Sequence, residues 1–155
     1  MTKTKQTKEI PWDLLLGGCG VCLEKELEML YSVRSEKDIQ RVCKDLETAI
    51  TQRQFGVLGV HDLKATMAKK GVDFEQACYV YEVCNPHQAK SVLSQNMDIS
   101  TALPCRISVY EDQGRVTLAT LKPSVLLPMF ETSGLEDVAE SVEKVIVESM
   151  DEAAG

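Results

Sequence analysis

A two-layer α+β domain is the fold class that this chain predicts, and three observations predict it. Stretches of alternating or β-branched-rich residues recur along the chain, and between them run segments with apolar residues at helical spacing. The last two strand-like stretches are separated only by a short turn, so they pair as antiparallel neighbours. The order that results is β-α-β-α-β-α-β-β-α: a five-stranded mixed or antiparallel sheet with amphipathic helices packed on it and no internal repeat.

Residues 1–30 read as an N-terminal arm, polar in "MTKTKQTKEIPW" and carrying a Cys-x-x-C segment at Cys19 and Cys22, whose start is expected to be mobile. Within it, "CLEKELEMLY" spaces Leu23, Leu27 and Leu30 for a short helix. The folded domain is expected over 31–152. "LYSVRS" is the first strand, with Tyr31 and Val33 on one face, and Ser35 with Asp38 reads as a reciprocal cap for the helix carrying Ile39, Val42, Leu46 and Ile50. "FGVLGVHDL" is the second strand, ended by Asp62 as cap of a short helix that stops at Gly71. "ACYVYEVC" is the third, followed by Asn85 as N-cap and Pro86 at the first helical position, where its missing N–H costs nothing.

After the loop "MDISTAL", the stretches "PCRISVYE" and "RVTLATLK" flank "DQG", a tight hairpin. The loop "PSVLLPMFETSG" then leads to Ser133 and Glu136, spaced as a capping box. The last helix carries Leu135, Val138, Ala139, Val142, Val145, Ile146 and Met150 on one stripe.

The chain has 155 residues, which suits a single domain with a substantial core. Hydrophobic residues make up 44% and charged residues 26%, an ordinary globular balance. Seventeen basic against 24 acidic residues give a net charge of -7, so the electrostatic footprint of a nucleic-acid-binding protein is missing. "LGGC" ending at Cys19 resembles a lipoprotein cleavage site, but Asp13 leaves only Leu14, Leu15 and Leu16 ahead of the glycines, short of the roughly 7–15 apolar residues a signal peptide needs. With no apolar run near the roughly 18 residues of a membrane span, the expectation is a soluble, cytoplasmic protein with no membrane partner and with six reduced cysteines.

The pieces "YEVCNPHQAKSVL", "LPCRISVYEDQGRV" and "KPSVLL", with the "HDL" turn after strand two, resemble the bacterial and archaeal family known as domain of unknown function 302. The resemblance runs from about Tyr31 to Met150 and leaves the "CGVC" segment outside it. It implies a compact α/β domain that can form homodimers, and it supplies no settled catalytic residues or cofactor.

The chemistry-bearing residues leave several readings open. Cys84 ends strand three one residue before a helix cap, where a helix dipole lowers a thiol pKa and favours nucleophilic sulfur or metal ligation; its alternative is a small buried hydrophobe. Cys105 falls on the apolar face of strand four with Ile107 and Val109, and Arg106 on the other face. Its place in the "LPC" motif adds weight to it as a partner of Cys84. The two meet if strands three and four are antiparallel and part if they are parallel.

His87, three residues after Cys84, and His61 at the end of strand two could complete a metal or haem site, or be solvated turn histidines. Cys19 and Cys22 lack the preceding strand of a thioredoxin and the second pair of a zinc knuckle, leaving a mobile sulfur handler or an incidental Gly-rich linker. Cys43 and Cys78 read as core, and Glu82 as an exposed sheet position or a pocket wall. Nucleophile-elbow, Walker and dinucleotide glycine spacings are missing. Two functions remain: a thiol protein relaying sulfur or redox equivalents, with a sulfur-carrier or redox partner, and a non-catalytic dimeric module binding a small ligand or a protein.

Overall fold

The structure is a computed structural model that describes residues 29–155. Five strands form one sheet: β1 (Leu30–Ser35), β2 (Gly56–Asp62), β3 (Cys78–Cys84), β4 (Cys105–Asp112) and β5 (Arg115–Leu121). Their spatial order is β1-β5-β4-β3-β2, and every neighbouring pair is antiparallel. The helices are α1 (Ile39–Gln52), α2 (Leu63–Ala68), α3 (Pro86–Leu93), α4 (Pro123–Leu126) and α5 (Glu136–Ala154). Two segments expected as loops wind into short 3-10 helices, Met97–Ala102 and Leu127–Phe130. Residues 1–28, which hold most of the arm and of its expected helix together with Cys19 and Cys22, lie outside the described residues, and Leu30 opens β1.

One face of the sheet packs against α1 and α5. Leu46 and Ile50 of α1, Ile146 and Met150 of α5, and Ile107 and Leu118 of the sheet have no exposed surface, and burying each contributes about 1.5–3 kcal/mol relative to exposure. α5 is tied to β1 at its far end, where the Ser35 hydroxyl donates to the Ala154 carbonyl at 2.7 Å and the Lys37 ammonium donates to the Ala153 carbonyl at 3.1 Å. Tyr31 donates to Asp151, which also holds the phenol pKa up at about 12. Lys37 bonds Asp45 as well, and that contact leads the causes lowering the Asp45 carboxyl below its ordinary range.

Local chemistry accounts for most boundaries. Asp62 accepts from Ala65 N–H at 2.8 Å and starts α2. The β4–β5 turn places Gln113 and Gly114 at φ of 51° and 78°, the pair of positive values that a two-residue hairpin needs to match the strand twist. Two caps differ from the sequence reading. Asp38 alone caps α1, accepting from Arg41 N–H, because Ser35 is drawn into the Ala154 contact. The Ser133–Glu136 box does not form: Gly134 turns the chain at φ 82° and Leu135, without a side-chain cap, precedes α5 and is buried in a second apolar cluster.

Candidate functional site at the cysteine end of the sheet

β3 and β4 are antiparallel with Val83 opposite Cys105, so the end of one strand and the start of the next lie at the same end of the sheet. Cys84 and Cys105 are thereby neighbours, and both are free thiols. At this end α3, α4 and α5 close over the sheet, and Phe55, Val83, Val92, Leu126, Val138 and Val142 wall an apolar cavity of ≈ 40 Å³ that Cys84 and Cys105 also line.

The local sequence builds the geometry. Asn85 accepts from the N–H groups of His87 and Gln88 at 3.0 and 3.2 Å, and its own amide donates to the Gln54 carbonyl at 3.3 Å, so one side chain starts α3 and ties it to the end of α1. The Gln88 amide donates to Ser141 Oγ of α5 at 3.2 Å, while its Oε1 is buried with no partner.

The thiols are not activated. Burial pushes the Cys84 thiol above its ordinary pKa. Burial, with a smaller contribution from Cys84, pushes Cys105 up to about 11. This corrects the expectation of a lowered Cys84 pKa. The first free N–H groups of α3, which would stabilise a thiolate, are already bonded by Asn85, and desolvation of the charged form is left to dominate. At neutral pH both side chains are neutral, weakly polar groups.

The remaining candidates separate. His61 pairs in register with Val80, four residues from Cys84, or about 13 Å along a strand. It faces the sheet surface opposite α1 and α5, where His61 Nε2 lies 3.4 Å and Arg106 Nε 3.6 Å from Glu82 Oε1. Glu82 is thus an ion-paired position on the open face of the sheet, the first of its two sequence readings. His87 is exposed on the first turn of α3. Among the described residues no group of three His, Cys, Asp or Glu side chains is placed to hold a metal, so His61, His87 and Cys84 do not assemble as the metal alternative required.

Cys43 is buried in the main core as expected, with its thiol raised by burial. Cys78 is not part of that core. It stands opposite Tyr110 and, by strand alternation with buried Tyr81 and Val83, belongs to the other face.

Gln88, Pro123 and Leu126 line the cavity although the sequence alone assigns them no site role. Two signals point to them: Gln88 lies in the first turn of the helix that starts after Cys84, and Pro123 and Leu126 belong to "KPSVLL".

A second concavity adjoins the first. It has a volume of ≈ 330 Å³, is lined by Leu121, Met129 and Phe130 among others, and shares Ala102, Cys105, Pro123 and Leu126 with the cavity. No helix among the described residues is long and apolar enough to cross a membrane.

Among curated proteins none matches the chain. Among solved structures, the crystal structure of an uncharacterised conserved DUF302 protein from Bacillus stearothermophilus is similar, with a TM-score of 0.76 and 30% identity, covering 81% of this chain and 98% of the other. The family model described as domain of unknown function DUF302 matches residues 31–153, which span every strand but the first residue of β1 and all the walls of the cavity, and the chain therefore belongs to the DUF302 family.

Proposed function

We propose that this domain is a non-catalytic module that binds a small apolar ligand at the cysteine end of its sheet. The observation that carries the reading is the cavity itself: a concavity walled by aliphatic side chains of β3, α3, α4 and α5, with two uncharged thiols and few other polar groups. A void of this size takes a ligand of a few atoms, or the end of a longer one.

Methyl-resolved NMR tests it. Xenon, a probe of apolar cavities, should shift the methyls of Val83, Val92, Leu126 and Val142 and spare those of Leu46 and Ile50. Unmoved methyls at the first four would remove the reading. Cys84→Ala should keep both the fold and the xenon response.

The thiol reading is the second, and the β3–β4 register favours it by making Cys84 and Cys105 neighbours. A sulfur relay through Cys84, with Cys105 resolving and a carrier protein as partner, would give adducts at Cys84 on polysulfide treatment, and Cys84→Ala would lose transfer. Uniform slow labelling of all cysteines would count against it. The raised pKa values are why it ranks second.

Self-association as a homodimer in the cytoplasm belongs to the same proposal, since β1 and β2 are sheet edges that a second copy would protect. Light scattering should then give a mass near twice 17.2 kDa.

A further inference from the structure

We infer that the ligand is a medium-chain carboxylate, its head group read by Arg106 and its chain lying in the ≈ 330 Å³ groove beside the cavity. This rests on the small-ligand reading and names the chemical class that fits it. The inner cavity alone is too small for a whole metabolite, whereas the groove reaches the ordinary lower size of a ligand pocket, about 300 Å³. Ala102, Cys105, Pro123 and Leu126 line both, so the groove lies directly beside the inner cavity.

Charge decides the head group. Arg106 is the one charged residue lining the groove, and no acid lines it. A cation bordering an apolar trough complements the head of an anionic amphiphile at short range, against the screened long-range repulsion of a chain whose net charge is -7. The Arg106 side chain is 62% exposed, and its one ion-pair partner among the described residues, Glu82, approaches the Nε edge at 3.6 Å, too far for a good hydrogen bond. A planar guanidinium has donors beyond Nε, which is the fork that a carboxylate takes in bidentate fashion. The exposed apolar surface fits as well: Leu121 is 49% and Met129 61% exposed at the groove, surface that an alkyl chain would cover.

Octanoate against octanol is the discriminating pair. The alcohol has the same chain and partitions more readily out of water, so a purely apolar groove prefers octanol. Calorimetry on the full chain at neutral pH should show octanoate binding about tenfold tighter than octanol. Arg106→Gln should reduce octanoate to within about twofold of octanol while leaving octanol unchanged, and Arg106→Lys should keep part of the preference. Retained octanol binding also reports that each variant is folded. Equal binding of the two ligands, or an octanoate preference that survives Arg106→Gln, overturns the carboxylate assignment and leaves the apolar site standing. Xenon shifts with neither ligand bound do the same. No response to xenon, octanol or octanoate overturns the site itself.

Discussion

The two apolar clusters of this small domain are finished differently. Under α1 and α5, Leu46, Ile50, Ile107, Leu118 and Ile146 meet with no exposed surface, large aliphatic side chains filling the layer between sheet and helices. At the cysteine end, Ile99, Leu135 and Ala139 are as deeply buried, yet an ≈ 40 Å³ void persists where their cluster meets the main core, walled by Phe55 and Val83 of the main core, by Val92 and Leu127 of the second cluster, and by the small side chains Cys84, Ala89, Ala102 and Cys105. At about 24 cal/mol per Å³, such a void costs about 1 kcal/mol. The fold packs the middle of the sheet fully and leaves the seam between its two clusters open at that cost.

The largest effect that sharpens the contrast comes from the filled cluster. Ile146→Ala removes a side chain with no exposed surface in the middle of α5, and it should lower unfolding stability by about 2–5 kcal/mol in urea denaturation. A loss below about 1 kcal/mol would mean that the main core relaxes as readily as the cysteine end, and the comparison would fail.

Next comes alkaline pH. The Cys105 thiol is raised to about 11 in the folded chain by burial, against an ordinary value of 9.0. A raised thiol pKa means that the folded state disfavours the thiolate. The stability it contributes is fully present below pH 9 and is lost as pH rises through the folded value near 11. The loss assigned to Cys105 is about 2–3 kcal/mol, at about 1.4 kcal/mol per unit of pKa. Cys84 and Cys43 are raised by burial too, so the informative quantity is the difference in slope between the wild type and Cys105→Ala across that window. Equal slopes would show Cys105 to be wetter than its place in the fold implies.

How much of this was readable beforehand differs between the same two regions. The main core was legible because it follows periodicity: Val42, Leu46 and Ile50 recur at helical spacing, and Ile107 and Val109 alternate in a strand. The hairpin and the Asp62 and Asn85 caps were legible because each is a local device with its own residue types. The cysteine end was legible only as a list of residues. Whether Cys84 meets Cys105 depends on strand direction, and the loop Met97 to Pro104 is long enough for either direction. The thiol pKa was misread for a related reason. Proximity to α3 is visible in sequence, but the burial that raises it, and the Asn85 side chain that occupies the helix N–H groups, belong to the assembled site. The capping box at Ser133 failed because the tertiary demand to bury Leu135 outweighed a cap.

A smaller effect tests that account of Cys84. Asn85→Ala should cost about 1 kcal/mol through the lost cap, and it should free the His87 and Gln88 N–H groups toward the end of β3. Iodoacetamide should then label Cys84 faster than in the wild type, while Cys43, buried in the main core, keeps its rate. Unchanged Cys84 labelling would leave burial as the whole explanation of its inertness.

The smallest expected change in stability carries the most information about the open end. Ala89 of α3 lines the cavity, and Ala89→Val adds two methyl groups toward it. Filling the void should return about 1 kcal/mol, and the poorer helix propensity of valine should remove about 0.5 kcal/mol, so net stability should rise by only a few tenths to about 0.5 kcal/mol. Xenon binding should meanwhile disappear. A small gain in stability together with abolished xenon binding would place the void directly beside Ala89. A loss of more than about 1 kcal/mol would instead mean that Ala89 is already in close contact, and that the void lies deeper, against Cys105 and Leu126.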